Sequence, residues 1–145
     1  MAEIRACIAS DFEPIFSLLQ QLWPDKTLCR ERLQSVFDRA LKSGEVQRYL
    51  CAVEDGRIAG FCSMTLKNNL WVEGWLAHLD ELVVDHAARG RGIGGDLLQA
   101  MIKLAEECGC VRVELDSAFH RKEAHAFYER RGFENRAYLF SRKLV

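Results

Sequence analysis

The sequence is short of the features that assign a protein at a glance. Neither sign of charge dominates: 20 Lys and Arg stand against 21 Asp and Glu. That balance removes any global electrostatic case for nucleic acid or an anionic membrane as partner. No apolar run approaches the roughly 20 residues that span a bilayer. The first residues alternate in polarity and lack the charged patch and apolar run of an export signal. A reducing cytoplasm is therefore expected. Six cysteines (Cys7, Cys29, Cys51, Cys62, Cys108 and Cys110) have no CxxC spacing. Most lie in apolar surroundings, as small buried hydrophobes do. The four histidines form no ligand set, since His120 and His125 miss the i, i+4 spacing of paired helix ligands; no metal is expected. No repeat, linker or low-complexity stretch divides the chain, so a single domain over residues 1–145 is expected.

The charges that are present are unevenly placed. From His120 to Val145 there are seven Lys/Arg and three Asp/Glu; up to Asp80 there are nine and eleven. Such a chain suits an anionic ligand at one end and a cationic one at the other.

Hydrophobic periodicity gives the element order β-α-α-β-β-β-α-β-α-β. Strands are expected at Glu3–Ala9, Tyr49–Val53, Ile58–Leu66, Leu76–Val84, Val111–Leu115 and Tyr138–Leu144. The first helix starts from an N-cap at Ser10-Asp11 and stops at Trp23-Pro24-Asp25; the second is capped by Thr27 and closes near Ser43-Gly44. Helices also cover Asp96–Cys108, with Gly109 beyond it, and Arg121–Arg131. Asp55-Gly56 between two apolar runs signals a hairpin. One β-α-β crossover among hairpins implies an α+β or mixed α/β sheet, not a doubly wound one.

The richest segment is Arg89-Gly90-Arg91-Gly92-Ile93-Gly94-Gly95, between the apolar Leu82-Val83-Val84 and a helix. Glycines let backbone N–H groups approach an anion, and the helix directs its free N–H groups and positive dipole end at the same spot. Three pyrophosphate readers compete. A P-loop needs Lys-Ser/Thr after the turn, which is missing. A dinucleotide fold needs more parallel units than this order supplies. The third is coenzyme A.

Arg89-Gly90-Arg91-Gly92-Ile93-Gly94 resembles the R/Q-x-x-G-x-G/A signature of the GNAT N-acetyltransferase superfamily. Ala124-His125-Ala126-Phe127-Tyr128-Glu129-Arg130-Arg131-Gly132-Phe133 is similar to its second signature, A-x-x-F-Y-x-x-x-G-F. The two follow in the right order across a helix and a strand. Asp80 to Val84 and Arg121 to Tyr128 resemble the aminoalkylphosphonate and aminoglycoside 6′-type branch more narrowly. The resemblance implies a central, mostly antiparallel sheet flanked by helices, a homodimer, and acetyl-CoA as co-substrate. Leu82, Val83 and Val84 would give backbone contacts to the pantetheine arm. Arg89, Gly90, Arg91, Gly92, Ile93, Gly94 and Gly95 would cradle the pyrophosphate, and Arg130 would meet the 3′-phosphate end. Arg121 stands where many members carry Asn, a departure at a pantetheine contact.

Acetyl transfer to an amine needs a base, a polarised carbonyl and a proton for the departing thiolate. By resemblance Tyr128 is the acid. His78 stands where several relatives place a catalytic glutamate, and an imidazole titrating near 6.5 suits a base; Glu81, acting through water, is the runner-up. Simple alternation puts His78, Asp80 and Leu82 on one face and Leu79, Glu81 and Val83 on the other; a bulge in this strand, which the resemblance implies, would shift that phase. Asp80 would bind the amine. Trp71, Glu73 and Trp75, with Asp25 in the loop after the first helix, would wall the acceptor site, because Trp beside acid suits an amine. The expected reaction is direct attack on acetyl-CoA by the primary amine of a small cationic or zwitterionic molecule (aminoglycoside, aminophosphonate or polyamine type). Two alternatives stand beside it: acetylation of a protein N-terminus or lysine, and a non-catalytic acyl-CoA sensor.

Overall fold

A computed structural model describes residues 2–145. Five strands form one sheet in the order β1-β2-β3-β4-β5: β1 (Glu3–Ala6), β2 (Gln47–Glu54), β3 (Arg57–Asn69), β4 (Gly74–Val84) and β5 (Cys110–Leu115). The first three junctions are antiparallel and β4–β5 is parallel. The helices are α1 (Phe12–Leu22), α2 (Arg30–Lys42), α3 (Ile93–Glu107) and α4 (Lys122–Glu129). This is the expected mixed architecture with one strand fewer. None of these helices is long and apolar enough to cross a membrane.

The sheet is filled from both faces. Ile93, Leu97, Leu98, Met101 and Ala105 of α3 pack on Cys62, Met64, Ala77 and Leu79. Phe12, Ile15, Leu18 and Leu19 of α1, with Phe37 of α2, pack on Cys51, Phe61 and Val83. Alternation along β2 and β3 supplies both sets, because successive side chains point to opposite faces. The β2–β3 hairpin turns at Asp55 and Gly56, with φ of 52° and 74°, the double positive φ of the tight turn that Asp-Gly favours.

Several boundaries moved, each for a local reason. Asp11 sits at the N-cap position of α1, as expected, but its side chain makes no cap hydrogen bond there. Its buried carboxylate takes two hydrogen bonds from Arg5, at 2.8 and 3.0 Å, and one from the Ile8 N–H at 2.7 Å. The Arg5 guanidinium thereby holds the Asp11 carboxyl below the usual carboxylate range. Helix α2 begins after Cys29, not at Thr27. Lys67 to Asn69, expected as a loop, extends β3 because it pairs with Leu76, Trp75 and Gly74. Helix α3 begins inside the glycine run, at Ile93. Tyr138–Leu144 forms no strand: the segment has no ladder partner, and Tyr138, Phe140 and Leu144 are 75%, 91% and 88% exposed.

The start of α3 is seated on the sheet through Gly60. A Cβ there would lie 2.8 Å from Leu97 Cδ1, 3.2 Å from the Val83 carbonyl oxygen and 3.3 Å from Ile93 Cγ2. Replacing Gly by Ala gains up to about 1 kcal/mol of chain entropy, whereas overpacking a core costs about 1–3 kcal/mol. Gly60→Ala is thus expected to lose about 1 kcal/mol in urea unfolding. Equal or greater stability would show that α3 is not held at this distance.

Candidate active site

The site grows from two interruptions of regular pairing on β4. The first is a bulge. Ser63 pairs with Glu81 and Met64 with Leu79, leaving Asp80 as an extra residue on β4. An added residue reverses the alternation that follows it. Ala77 and Leu79 face α3 before the bulge, and Leu82 and Val84 face α3 after it. His78, Asp80, Glu81 and Val83 are left on the face under α1 and α2. Simple alternation separates His78 from Glu81; the bulge brings them together.

The second interruption is the end of β5. Its parallel pairing with β4 runs from Trp75–Cys110 to Leu79–Leu115 and stops. From Asp80 to Val84 the strand is paired with β3 alone, so its other backbone edge is open. Helix α4 spans the opening. Near its start, Arg121 Nη2 donates to the carbonyl of Leu22 at the end of α1, at 2.8 Å. Towards its other end, Phe127 lies 3.8 Å from a Cβ built on Gly94 at the start of α3.

On the α1/α2 face the polar groups form a connected set. Ser63 Oγ donates to Glu81 Oε1 at 2.5 Å and accepts from the Glu81 N–H at 3.0 Å. Thr65 Oγ1 donates to Asp80 Oδ2 at 2.6 Å. His78 Nδ1 lies 2.9 Å from Asp80 Oδ1, and Nε2 lies 2.9 Å from Asp116 Oδ1 just beyond β5. Both nitrogens can donate only in the imidazolium. The hydrogen bond to Asp80 accordingly raises the His78 pKa, outweighing partial burial. His78, the first candidate for the base, has no free lone pair in that state. Glu81 differs: burial raises its pKa, the Ser63 bond opposing. Its carboxylate faces a cavity of about 90 Å³ lined by Phe12, Trp23, Leu33, Phe37 and Tyr49.

Tyr128 is half-buried between Phe127 and Phe133, with ring centroids at 5.2 and 5.6 Å. Among the described residues its hydroxyl makes no hydrogen bond. Burial pushes its pKa up to about 12, while the Arg121 charge pulls the other way. A raised phenol pKa keeps the proton in place at neutral pH.

The glycine run has the expected local geometry. Gly90 and Gly92 have φ of 80° and 82°, and nothing lies within 4 Å of a Cβ built on either. Gly92 directly precedes α3. The two arginines of the run are engaged elsewhere: Arg89 Nε donates to the Val84 carbonyl at 3.1 Å, and Arg91 pairs with Glu54 at 2.7 Å. The cation seated at the turn is Arg131, whose Nη2 would meet a Gly95 Cβ at 2.8 Å and which stacks on Phe127 at 3.8 Å. Arg130, one residue earlier, is exposed at the end of α4.

The expected tryptophan wall is not at Glu81. Trp71 and Glu73 lie in the β3–β4 turn and Trp75 at the start of β4. Six residues at about 3.3 Å each put Trp75 about 20 Å from Glu81 along the strand. Trp71 is occupied by Arg112 and Arg136, whose guanidinium carbons lie 5.2 and 4.5 Å from its ring. In the loop after α1, Trp23 lines the Glu81 cavity, and Asp25 is exposed close by. Ser63, Thr65, Asp116 and Arg131 were not singled out from sequence. Asp116 carried a faint signal as an acid directly after a strand; Ser63 and Thr65 are visible only through the β3–β4 register.

Comparison with known proteins places these features. The acetyltransferase (GNAT) family model matches residues 12–133. The chain is 27% identical over 144 residues to an aminoalkylphosphonate N-acetyltransferase of Salmonella typhimurium, covering 99% of this chain and 92% of that one. It is 30% identical over 132 residues to a glucosamine 6-phosphate N-acetyltransferase of Trypanosoma brucei brucei, covering 90% and 88%. The crystal structure of glucosamine-6-phosphate N-acetyltransferase from Arabidopsis thaliana superposes with a TM-score of 0.83 at 26% identity, covering 100% of this chain and 99% of that one.

The paired carboxylates set a pH signature. A raised His78 pKa means the imidazolium persists above pH 6.5, and its stabilising contribution is lost as pH rises through the folded value. NMR titration of the His78 ring is expected to show a midpoint above 6.5, lowered by Asp80→Asn. A midpoint at or below 6.5 in the unaltered protein contradicts the double pairing.

Proposed function

The chain is a member of the acetyltransferase (GNAT) family, an N-acetyltransferase with acetyl-CoA as donor, and from that premise we propose that it acetylates the primary amine of a small cationic or zwitterionic molecule at Glu81. The observation that carries this reading is the Asp80 bulge, which collects Asp80, Glu81 and His78 on one face beside the open edge of β4. Two of the relatives are named for acceptors that join an amine to a phosphorus oxyanion, and such zwitterions fall within the proposed class.

Acetyl-CoA supplies the acetyl group as an activated thioester. The residues present fit it: free N–H groups and uncrowded glycines at Gly90 and Gly92 suit a pyrophosphate. The open edge from Asp80 to Val84 suits an amide-bearing arm, with Leu82 and Val84 among its backbone partners. Arg131 is better seated for a phosphate of the coenzyme than Arg130.

Glu81 is the proposed base. From its cavity of about 90 Å³ the carboxylate draws the ammonium proton through water. An ammonium near pKa 10 needs that help at neutral pH, and a carboxylate with a raised pKa is the stronger base. The freed nitrogen lone pair forms the C–N bond at the thioester carbonyl, and the C–S bond breaks. Tyr128 donates its proton to the departing sulfur, and the second proton shed by the nitrogen as the amide forms returns to the Tyr128 oxygen. His78 acts as a positioning cation that fixes Asp80 and Asp116, the carboxylates that receive the ammonium.

The dimer rests on the C-terminal segment. Exposed Tyr138, Phe140 and Leu144 alternate as a strand would, and the outer edge of β5 has no partner among the described residues. A second copy offers each what it lacks. Free cysteines suit the reducing cytoplasm proposed for it.

Three outcomes follow from these assignments. Tyr128→Phe is expected to lower kcat about 100-fold or more with little change in acetyl-CoA affinity; an unchanged kcat removes its acid role. Activity should fall as pH drops through the raised Glu81 value, because the base must be ionised. Glu81→Gln should abolish that acid limb in thiol-release kinetics, and a retained limb assigns the base elsewhere. Light scattering should give twice 16.6 kDa, reverting to the single mass when residues 134–145 are removed; a monomeric full chain contradicts the dimer.

A further inference from the structure

Among the described residues two polar side chains are buried, Asp11 and Ser63. Asp11 answers to Arg5 and the Ile8 N–H. Ser63 answers to one residue alone, Glu81. Its hydroxyl donates to Glu81 Oε1 at 2.5 Å and accepts from the Glu81 N–H at 3.0 Å. The serine is 0% exposed and stands on β3 between Cys62 and Met64, which pack against α3. A hydroxyl withdrawn from water is costly unless it is hydrogen-bonded, so packing alone does not account for a serine here.

Its place on the strand does. Ser63 is the β3 residue at which the register shifts, pairing with Glu81 while Met64 pairs with Leu79. An inserted residue disrupts the ladder locally, and a buried N–H must then find another acceptor. The Glu81 N–H takes the Ser63 hydroxyl, and the proton of that hydroxyl reaches the Glu81 carboxylate. The carboxylate is thereby tied to its own main chain through one atom, Ser63 Oγ. Oε2 makes no hydrogen bond among the described residues, which leaves it the oxygen open to a water in the cavity.

The clasp acts on charge as well as position. A donor to the ionised form favours it, so Ser63 opposes burial and the negative charges of Asp80 and Asp116, in the direction that His78 also pulls. Tyr49 of β2 and Cys62 of β3 also feel Glu81, and burial keeps both protonated at neutral pH. Phe12, Ile15 and Leu19 of α1 and Leu33, Val36 and Phe37 of α2, which line the cavity, carry no charge.

We propose that Ser63 is a positioning residue of acetyl transfer, fixing the Glu81 carboxylate through the paired hydrogen bonds at the bulge. This rests on the reading of Glu81 as the base.

Thiol-release kinetics across pH test it. Ser63→Ala is expected to move the acid limb of kcat/KM to higher pH by about one unit, the scale of a hydrogen bond to a charged group. Above the limb, kcat should fall about tenfold or more, as for a misplaced catalytic group. Ser63→Cys, nearly isosteric with a weaker donor, should place the limb between those of wild type and Ser63→Ala. A limb position does not depend on how much enzyme is folded. An unmoved limb, or an undiminished plateau in Ser63→Ala, overturns the proposal; should Ser63→Ala not fold, the limb of Ser63→Cys decides alone. Retention of the acid limb by Glu81→Gln, or no turnover with any amine, sinks the base reading instead. A ¹³C titration of the Glu81 carboxyl then decides on Ser63: a midpoint raised by Ser63→Ala supports the clasp, and an equal midpoint refutes it.

Discussion

One extra residue in β4 organises this molecule. Without Asp80 as a bulge, strict alternation would carry Glu81 to the α3 side, into the cluster of Leu97, Leu98 and Met101. An ionised carboxylate there would have no water and no partner, at a cost of several kcal/mol. With the bulge, Glu81 faces a small, mostly apolar cavity and keeps the Ser63 hydroxyl. The same phase shift leaves Leu82 and Val84 apolar side inward. The core and the chemistry thus depend on one register change, and Ser63 and Thr65 of β3 hold it from the neighbouring strand.

The end of β5 is the complementary constraint. Parallel pairing stops at Leu115, the next residue turns its carboxylate to His78, and the chain leaves the sheet. What remains of β4 offers backbone on one edge and acids on one face. Helix α4 crosses this opening, tied to α1 by Arg121 and seated against α3 by Phe127 and Arg131. Tyr128 lies on this bridging helix. Some of the basic excess of the C-terminal part lies at the two ends of α4, in Arg121, Arg130 and Arg131, and the acids Asp80, Glu81 and Asp116 lie on β4 and just beyond β5.

Much of this was legible in the sequence. The Asp55-Gly56 hairpin, the glycine run opening a helix and the partner motif around Tyr128 are local signals, and local signals survive folding. Glycine at positive φ and an apolar stripe at helical spacing mean the same thing in isolation as in the fold. What could not be read was register. Periodicity places His78 and Glu81 on opposite faces; only pairing across β3 and β4 reveals the inserted residue. The same blindness hid Ser63, Thr65 and Asp116, whose roles are defined by what lies opposite. The tryptophans misled because Trp beside acid is a composition, whereas the site is a place: Trp71 and Trp75 sit at the far end of β4, against Arg112, Arg136 and Cys110. Tyr138–Leu144 has a strand's pattern but pairs with no strand of this chain, although the outer edge of β5 is open.

The open edge of β4 and the glycine run are proposed to form one continuous donor site beside the bulge. Amide hydrogen exchange, followed by NMR with and without coenzyme A, reads this directly. Slowed exchange is predicted for amides within Asp80–Val84 and for Gly90 to Gly94, with β1 and β2 unchanged. Protection confined to other elements, or none at the open edge of β4, would contradict it.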